Sequence, residues 1–365
     1  MTRARDVANV LTAASNLATD TETAAAISTH AALSDPHTGY LKESEFSAAG
    51  KNKILNGDFS IWQRGVTGGN GFLADRWYLN AGAPTSFSQT RQAFTPGTAP
   101  VAGYEGKYFW RNTITTVGPS TEWYLNTYIE DVQTLAGQTA AFSFWAKADS
   151  SRAMSGYLLQ RFGDGGSTNV STTIGTASLT TSWQRFTFTI SIPSISGKTI
   201  GANNLVQIFF AMTPASGMVI DLWGVQLEAG SVATPFTTAT GNQALELAAC
   251  QRYYYRAVPG ISTYGLFEHF GVATSSTTIY SSLKLPVTMR TNPSSVDFST
   301  LRTFGQTTGV YNSISNVTIN AGGDGSTSPQ LAMLLLTSTG LTTNAIYGYG
   351  ANNSTSAYIG VSAEI

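Results

Sequence analysis

Aromatic side chains set among amide and hydroxyl residues are the part of this sequence best suited to bind a ligand. The face of a Trp or Tyr ring can stack on the apolar C–H groups of a sugar, while neighbouring Asn, Gln, Asp or Arg side chains hydrogen-bond to its hydroxyls. For each such ring the alternative is ordinary core packing on the inward side of a strand. The candidates for sugar stacking are Trp110, Trp123, Tyr124, Tyr253, Tyr255, Tyr264 and Tyr280.

Acidic residues in the first half of the chain could supply the facing pair of carboxylates that glycoside hydrolysis needs. Nothing in the sequence brings any two of them together, and solvated charges at strand ends are the alternative interpretation. A G-x-S-x-G nucleophile motif is also absent. We therefore expect no enzymatic activity and assign no catalytic residue. The acidic candidates are Glu105, Glu122, Glu130, Asp131, Asp149 and Asp164.

The three histidines, His30, His37 and His269, do not have the spacing of a metal site. His37 follows Asp35-Pro36, and in a symmetric trimer one such residue per chain could converge on the axis. Three imidazoles placed in this way could hold a metal ion or stack on one another. Both alternatives stay open, and the residues by themselves indicate no cofactor.

Charge and composition exclude several classes of partner. The chain has 20 Lys and Arg against 21 Asp and Glu, without basic clusters, so it lacks the charge needed to bind nucleic acid. The single Cys250 cannot form an internal disulfide. The longest apolar run, Leu331 to Leu336, is far shorter than the roughly 20 residues of a membrane span. We expect synthesis in the cytoplasm, no secretion signal and no membrane insertion.

The first 51 residues differ from the rest of the chain. Apolar residues near the N-terminus follow the i, i+3, i+4, i+7 spacing of an amphipathic helix. So short a helix is marginal in water, which favours docking on another chain or bundling with copies of itself. The alternative is a helix that folds back on its own domain. The apolar stripe, and thus the predicted trimerisation surface, is Val7, Val10, Leu11, Ala14, Leu17 and Ala18.

From residue 52 onwards the hydrophobic pattern has period 2. In Trp183–Ile190, for example, Phe186, Phe188 and Ile190 alternate with polar residues, as in a half-buried antiparallel strand. Short strands separated by Gly, Pro, Asn and Ser clusters predict a β-sandwich over residues 52–240. A linker then leads to a second one over residues 241–365, whose first strand should include Gln251–Arg256. The predicted fold is mainly β, an N-terminal helix followed by two antiparallel, jelly-roll-like sandwiches.

Several phrases of this chain resemble the tail fibres and receptor-binding proteins of tailed bacteriophages. Together they frame residues 35–255. The layout of residues 52–236 is also similar to that of jelly-roll carbohydrate-binding modules, which open on an Asn-Gly-Asp/Glu-Phe turn and close near Gln-Leu-Glu. The phrases are Asp35-Pro-His-Thr-Gly-Tyr-Leu41, Asn52-Lys-Ile-Leu-Asn-Gly-Asp-Phe-Ser-Ile-Trp-Gln-Arg-Gly65, Ala74-Asp-Arg-Trp77, Trp223-Gly-Val-Gln-Leu-Glu-Ala-Gly-Ser-Val-Ala-Thr-Pro-Phe236 and Cys250-Gln-Arg-Tyr-Tyr-Tyr255.

The resemblance implies a homotrimeric fibre or spike of a virion. Residues 1–51 would join the phage tail, its baseplate or an adaptor protein, and the β domains would adhere to a host-surface polysaccharide, with residues 241–365 as the expected tip. A structural calcium ion held by Asp58 and Asp221 is implied in the same way. Two alternatives stay open: a polysaccharide depolymerase, and a purely structural fibre or decoration protein.

Overall fold

A computed structural model describes most of the chain beyond residue 49. The described residues are 50–82, 86–101, 104–120, 122–260, 262–305, 311–320 and 326–364, together with 25, 28 and 29. The predicted apolar stripe between Val7 and Ala18 lies outside the described residues, as does His37. The predicted N-terminal helix and trimer therefore stay predictions.

The described residues form antiparallel β-sheets and one short helix, which confirms the prediction of a mainly β fold. The strands before the helix are β1 (Thr67–Gly68), β2 (Gly71–Phe72), β3 (Trp77–Ala81), β4 (Ser86–Ala93), β5 (Tyr108–Thr116), β6 (Trp123–Ile129), β7 (Thr139–Ala148), β8 (Arg152–Arg161), β9 (Val170–Leu179), β10 (Gln184–Ser191), β11 (Leu205–Ala211) and β12 (Met218–Ala229). After the helix α1 (Gln243–Gln251) come β13 (Tyr254–Ala257), β14 (Leu266–Ala273), β15 (Thr278–Lys284), β16 (Ser295–Ser299), β17 (Leu301–Gly305), β18 (Asn316–Ile319), β19 (Leu331–Thr337), β20 (Ile346–Ala351) and β21 (Tyr358–Ser362).

Strands β1–β12 form the first sandwich from two six-stranded sheets. Sheet 1 has the order β1-β4-β5-β12-β7-β10, and sheet 2 has the order β2-β3-β6-β11-β8-β9. Side chains that alternate along the strands meet between the sheets, as expected where one face of each strand is buried. Trp77 and Phe210 from sheet 2 and Trp110 and Phe142 from sheet 1 are among the buried members of this core.

The sequence segment that begins at Asn52 is hydrogen-bonded to β12, the last strand of the first sandwich. The Asn52 side-chain amide donates to the carbonyls of Val225 and Thr237, and its Oδ1 accepts from the Leu227 amide. Gly57 lies so close to the Val225 carbonyl oxygen that a Cβ at this position would collide with it. Asn52 and Gly57 therefore have a structural role: the Asn52 side chain is hydrogen-bonded within the protein, and Gly57 permits a close backbone contact.

Helix α1 corrects the predicted start of the second β region. The chain is helical up to Gln251, and the strand begins only at Tyr254. The Asn242 side chain accepts from the backbone amides of Ala244 and Leu245, which caps the helix and satisfies two of its free N–H groups. The helix is further fixed by its buried Glu246, whose carboxylate accepts from the Asn56 amide.

The remaining strands form a second sandwich around its own core. Sheet 3 is β13-β21-β16, and sheet 4 is β17-β20-β14-β15-β19-β18. Leu334, Leu336 and Tyr349 of sheet 4 and Ile359 and Val361 of sheet 3 are buried between them. The division into domains at residues 51/52 and 240/241 stays a prediction.

A buried ion pair links the two sandwiches. The Arg76 guanidinium, whose side chain is 0% exposed, pairs with Glu364, whose side chain is 8% exposed. It also donates to the Tyr128 carbonyl oxygen at 2.8 Å and lies over the Tyr253 ring at 3.4 Å. The same Glu364 pairs with Arg64 at 3.3 Å.

Among the described residues, no helix is both long enough and apolar enough to cross a membrane.

Candidate functional site

An open groove of about 380 Å³ lies on the outer face of sheet 2, over strands β3, β6, β8 and β11. We call it the aromatic groove. Its lining combines aromatic rings with side-chain amides and one leucine. The lining residues are Tyr78, Asn80, Tyr124, Asn126, Tyr128, Leu159, Gln207 and Phe209.

The alternation of a pleated strand places these side chains on one face. In β6, Trp123 and Leu125 are buried in the core, so Tyr124, Asn126 and Tyr128 project from the opposite side. Strands β3 and β11 alternate in the same way. The sequence of β6 therefore encodes a Tyr-Asn-Tyr surface backed by apolar residues.

The register of the strands brings residues that are distant in sequence into one row. Asn126 of β6 lies opposite Tyr78 of β3 on one side and opposite Phe209 of β11 on the other. Phe209 in turn lies opposite Tyr157 of β8. This row places three aromatic rings and one amide side by side across four strands.

Contacts between the rings fix their orientation. Phe209 stacks on Tyr157 with ring centroids 5.0 Å apart and an interplanar angle of 18°, and it meets Tyr124 edge-on at 5.9 Å. Phe72, at the edge of the sheet, meets Tyr78 edge-on at 5.0 Å and Tyr128 at 6.3 Å. The rings are thus held in place before any ligand binds, which lowers the entropy cost of binding.

The amides of the groove are only partly used by the protein itself. Asn126 Oδ1 accepts from Gln207 Nε2 at 2.7 Å, and Asn126 Nδ2 donates to the carbonyls of Tyr78 and Tyr124. These bonds fix the orientation of both amides. Within the described residues, Gln207 Oε1 and the exposed Asn80 amide make no such bond, so they can hydrogen-bond to a ligand.

Among the described residues, no charged side chain lines the aromatic groove. Burial raises the pKa of Tyr128, and the nearby Arg161 only partly opposes this shift. The Tyr128 hydroxyl therefore stays protonated at neutral pH and can donate a hydrogen bond. The groove can offer stacking surfaces and neutral hydrogen-bonding groups.

Of the aromatic residues predicted to stack on a sugar, Tyr124 lies in the aromatic groove. Trp110 and Trp123 do not reach solvent: both are buried in the core, where their indole N–H groups donate to Gln89 and Asn112. Their proposed role as sugar platforms is corrected. Both indoles point inward from their strands and contribute packing.

The predicted tyrosines of the second sandwich do not form one site. Tyr253 is buried beneath Arg76, which corrects its proposed role, and burial raises its pKa to about 12. Tyr255 is half-buried beside the second core. Tyr264 and Tyr280 are exposed.

One of the two implied calcium ligands, Asp221, is already paired with positive side chains. The Asp221 carboxylate receives two hydrogen bonds from Arg111, at 2.6 and 2.8 Å, and pairs with Lys147 at 3.5 Å. Two positive side chains already neutralise it. Asp58 accepts from the backbone amide and hydroxyl of Ser60. Among the described residues no group of three or more His, Cys, Asp or Glu could hold a metal ion. The ion pairs argue against Asp221 as a calcium ligand, whereas calcium at Asp58 stays a prediction.

The acidic residues considered for hydrolysis are engaged elsewhere. Asp149 pairs with Arg152 at 2.7 Å, Glu130 with Arg252 at 3.3 Å, and Asp164 accepts from Asn203. None of the six acidic candidates lines the aromatic groove, and this includes Glu105, Glu122 and Asp131.

Sequence reasoning missed most of the groove. The signal that could have found part of it is the alternation in β6, Trp-Tyr-Leu-Asn-Thr-Tyr-Ile, in which the polar-facing positions are Tyr, Asn and Tyr. Tyr78 and Phe209 carry no such local signal, because only the strand register brings them to β6.

Comparison with known proteins found no matching family model and no matching curated protein. Among solved structures, this chain is similar to a CBM4 structure, with 24% identity over 48% of this chain and 99% of that chain and a TM-score of 0.30. It is also similar to the CBM22-1 xylan-binding domain of Paenibacillus barcinonensis Xyn10C, with 12% identity over 52% of this chain and 100% of that one and a TM-score of 0.31. A third is the enzymatically active domain of tailspike protein 4 of bacteriophage CBA120, with 14% identity over 49% of this chain but 22% of that chain and a TM-score of 0.33.

Proposed function

We propose that the aromatic groove binds a glycan. The observation that carries this proposal is the combination, on one open and uncharged surface, of pre-oriented aromatic rings with unsatisfied side-chain amides. Sugars present apolar C–H faces and a ring of hydroxyls, which match these two kinds of group. The absence of charge from the lining favours a neutral segment of the glycan.

Each element of the groove has a defined part in this proposal. Tyr78, Tyr124 and Phe209 provide the surfaces on which sugar rings stack. Gln207 Oε1 and the Asn80 amide exchange hydrogen bonds with hydroxyl groups, directly or through water. Phe72 and Tyr157 hold the stacking rings and act as positioning residues.

The test is a glycan array with the full chain, followed by titration with the soluble oligosaccharide that it identifies. We expect Tyr124→Ala to weaken binding about 10-fold, since a lost ring contact and its buried area amount to roughly 1.4 kcal/mol. Gln207→Ala should weaken it as well. Because the oligosaccharide is monovalent, the oligomeric state of the protein adds no avidity.

The matched controls are Tyr264→Ala and Tyr280→Ala, which remove exposed tyrosines from the second sandwich. They should bind as tightly as the unchanged protein. Loss of affinity in these variants together with full affinity in Tyr124→Ala would move the site to the second sandwich and refute the proposal.

We further propose that glycan binding serves host attachment, as part of a trimeric tail fibre or spike of a virion. This step is supported by the sequence phrases at Asn52, Ala74, Trp223 and Cys250 and concerns a host-surface polysaccharide. Purified protein should compete with phage for adsorption to host cells. Release of new reducing ends from the polysaccharide would instead favour a depolymerase, and failure to bind cells would favour a structural fibre protein.

A further inference from the structure

Arg302, on the outer face of β17, is a positive side chain without an acidic partner. None of the ion pairs among the described residues includes it. Its Nε is shielded from water and has no hydrogen-bond partner. The two Nη groups are not shielded in this way and donate to no described residue, so they are accessible to solvent. The guanidinium therefore has free donors on its outer edge.

Two tyrosine rings contact this guanidinium. Arg302 Cζ lies 4.3 Å from the centroid of the Tyr264 ring and 4.3 Å from that of the Tyr311 ring. Tyr311 in turn contacts Phe304 of the same strand, with ring centroids 5.5 Å apart. Stacking on aromatic rings restricts a guanidinium without using its donors. Arg302 is thus oriented before any ligand binds, which lowers the entropy cost of binding.

The same two rings leave area for a ligand. Tyr264 is 48% exposed and Tyr311 51%. Leu266 is also exposed, and it lies in the row of Arg302, because both residues are opposite Gly350 of β20. Such surfaces can pack on the apolar C–H groups of a sugar.

Neutral hydrogen-bonding groups lie on the other side of Arg302. Backbone pairing places Ser313 opposite Arg302. Ser313 Oγ accepts from Asn352 Nδ2 at 3.2 Å, so its own hydrogen is available to a ligand. A hydroxyl group in this position can hydrogen-bond to the hydroxyls of a sugar.

We propose that Arg302, Tyr264, Tyr311 and Ser313, which we call the Arg302 cluster, bind an acidic sugar residue through its carboxylate. The paired Nη groups match the two oxygens of a carboxylate, which can accept two parallel hydrogen bonds. Gly350 and Leu266, which continue the row, add no charge, so this row provides one positive charge. One charge suits a carboxylate better than a phosphate monoester, which carries about 1.5 to 2 negative charges at pH 7.

Paired ligands test this proposal with the full chain. The probes are a panel of uronate-containing oligosaccharides, each compared with the same oligosaccharide after reduction of its carboxyl groups to alcohols. Phosphorylated oligosaccharides form a third set. We expect at least one uronate oligosaccharide to bind about 10-fold more tightly than its reduced form, because a hydrogen bond to a charged group is stronger than one between neutral groups.

Arg302→Gln should remove this preference: it should weaken binding of the uronate form about 10-fold and leave binding of the reduced form unchanged. Arg302→Lys keeps the charge but lacks the paired donors, so it should restore only part of the preference. The matched control is Lys284→Gln, which removes a positive charge from an exposed position of the same sheet and should leave the preference intact. Tyr124→Ala should also leave it intact, which separates this site from the aromatic groove.

Circular dichroism verifies that each variant is folded. If Arg302→Gln is not, Tyr311→Ala takes its place, because it removes an exposed ring that orients Arg302 and should also reduce the preference. Equal affinity for every uronate oligosaccharide and its reduced form would overturn the proposal. So would a preference that survives Arg302→Gln, an equal loss in Lys284→Gln, or Arg302-dependent binding of the phosphorylated probes alone.

Discussion

Replacement of Glu364 by glutamine should destabilise the first sandwich, although Glu364 belongs to the second. Glu364 pairs with Arg76, whose guanidinium is wholly buried. Without the carboxylate, the positive charge stays buried with the Tyr128 carbonyl and the Tyr253 ring as its partners.

The expected magnitude follows from the burial of both side chains. Breaking a buried ion pair by removing one partner costs about 3 to 5 kcal/mol, because the remaining charge is uncompensated. Glutamine keeps an oxygen that can accept from Arg76, which places the expected loss at the lower end, about 3 kcal/mol. The matched control is Glu130→Gln, which also removes a carboxylate from an arginine. Glu130 is 34% exposed and Arg252 42%, so this change should cost no more than about 1 kcal/mol.

Urea unfolding followed by tryptophan fluorescence is the appropriate assay. All seven Trp lie between residues 62 and 223, so the signal reports on the first sandwich alone. A Glu364→Gln loss no larger than that of Glu130→Gln would refute the reasoning. A further check is the pair Arg76→Met and Glu364→Leu, which removes both charges and should recover most of the stability lost in the single variant.

Three further predictions concern the first sandwich and helix α1. Gly57→Ala should lower the free energy of unfolding by about 2 kcal/mol, since the new Cβ would collide with the Val225 carbonyl; an unchanged urea midpoint would contradict this. Burial raises the pKa of Asp58 above its ordinary value of 3.8, so the stability contributed by its neutral form is complete below that pH and is lost as the pH rises through the raised value. Asp58→Asn should therefore gain stability relative to the unchanged protein as the pH rises from about 3 to 7, and a constant difference would count against it. Cys250 is buried and burial also raises the pKa of its thiol, so its reaction with a maleimide should be limited by unfolding; rapid labelling of the folded protein would be the contrary result.

The strands that sequence analysis predicted best are those with strong alternation. The predicted strand Trp183–Ile190 differs from β10 by one residue at each end. The start of the second β region was missed because the cap at Asn242, rather than the aromatic run after Cys250, decides the local structure. A cap depends on a single hydrogen-bonding side chain and is easily overlooked in a periodic pattern.

Only part of the aromatic groove could be predicted from the sequence, because most of its residues come together through strand pairing. Trp123 and Tyr124 are adjacent in β6, so a pleated strand can turn only one of them outward, and this rule alone separates the platform from the core. Tyr78 and Phe209 join Tyr124 through strand pairing over long stretches of sequence. Spacing along the chain contains no information about such pairing.

The position of Arg76 also has a mechanical consequence. Arg76 donates a hydrogen bond to the backbone carbonyl of Tyr128, a residue that lines the aromatic groove. It also forms an ion pair with Glu364, which follows β21. If the groove binds a glycan as proposed, tension on that glycan would pass along this path into the second sandwich as well as through the linker that precedes α1. The ion pairs Arg64–Glu364 and Arg252–Glu130 also join the two sandwiches, so Arg76 carries one share of the load.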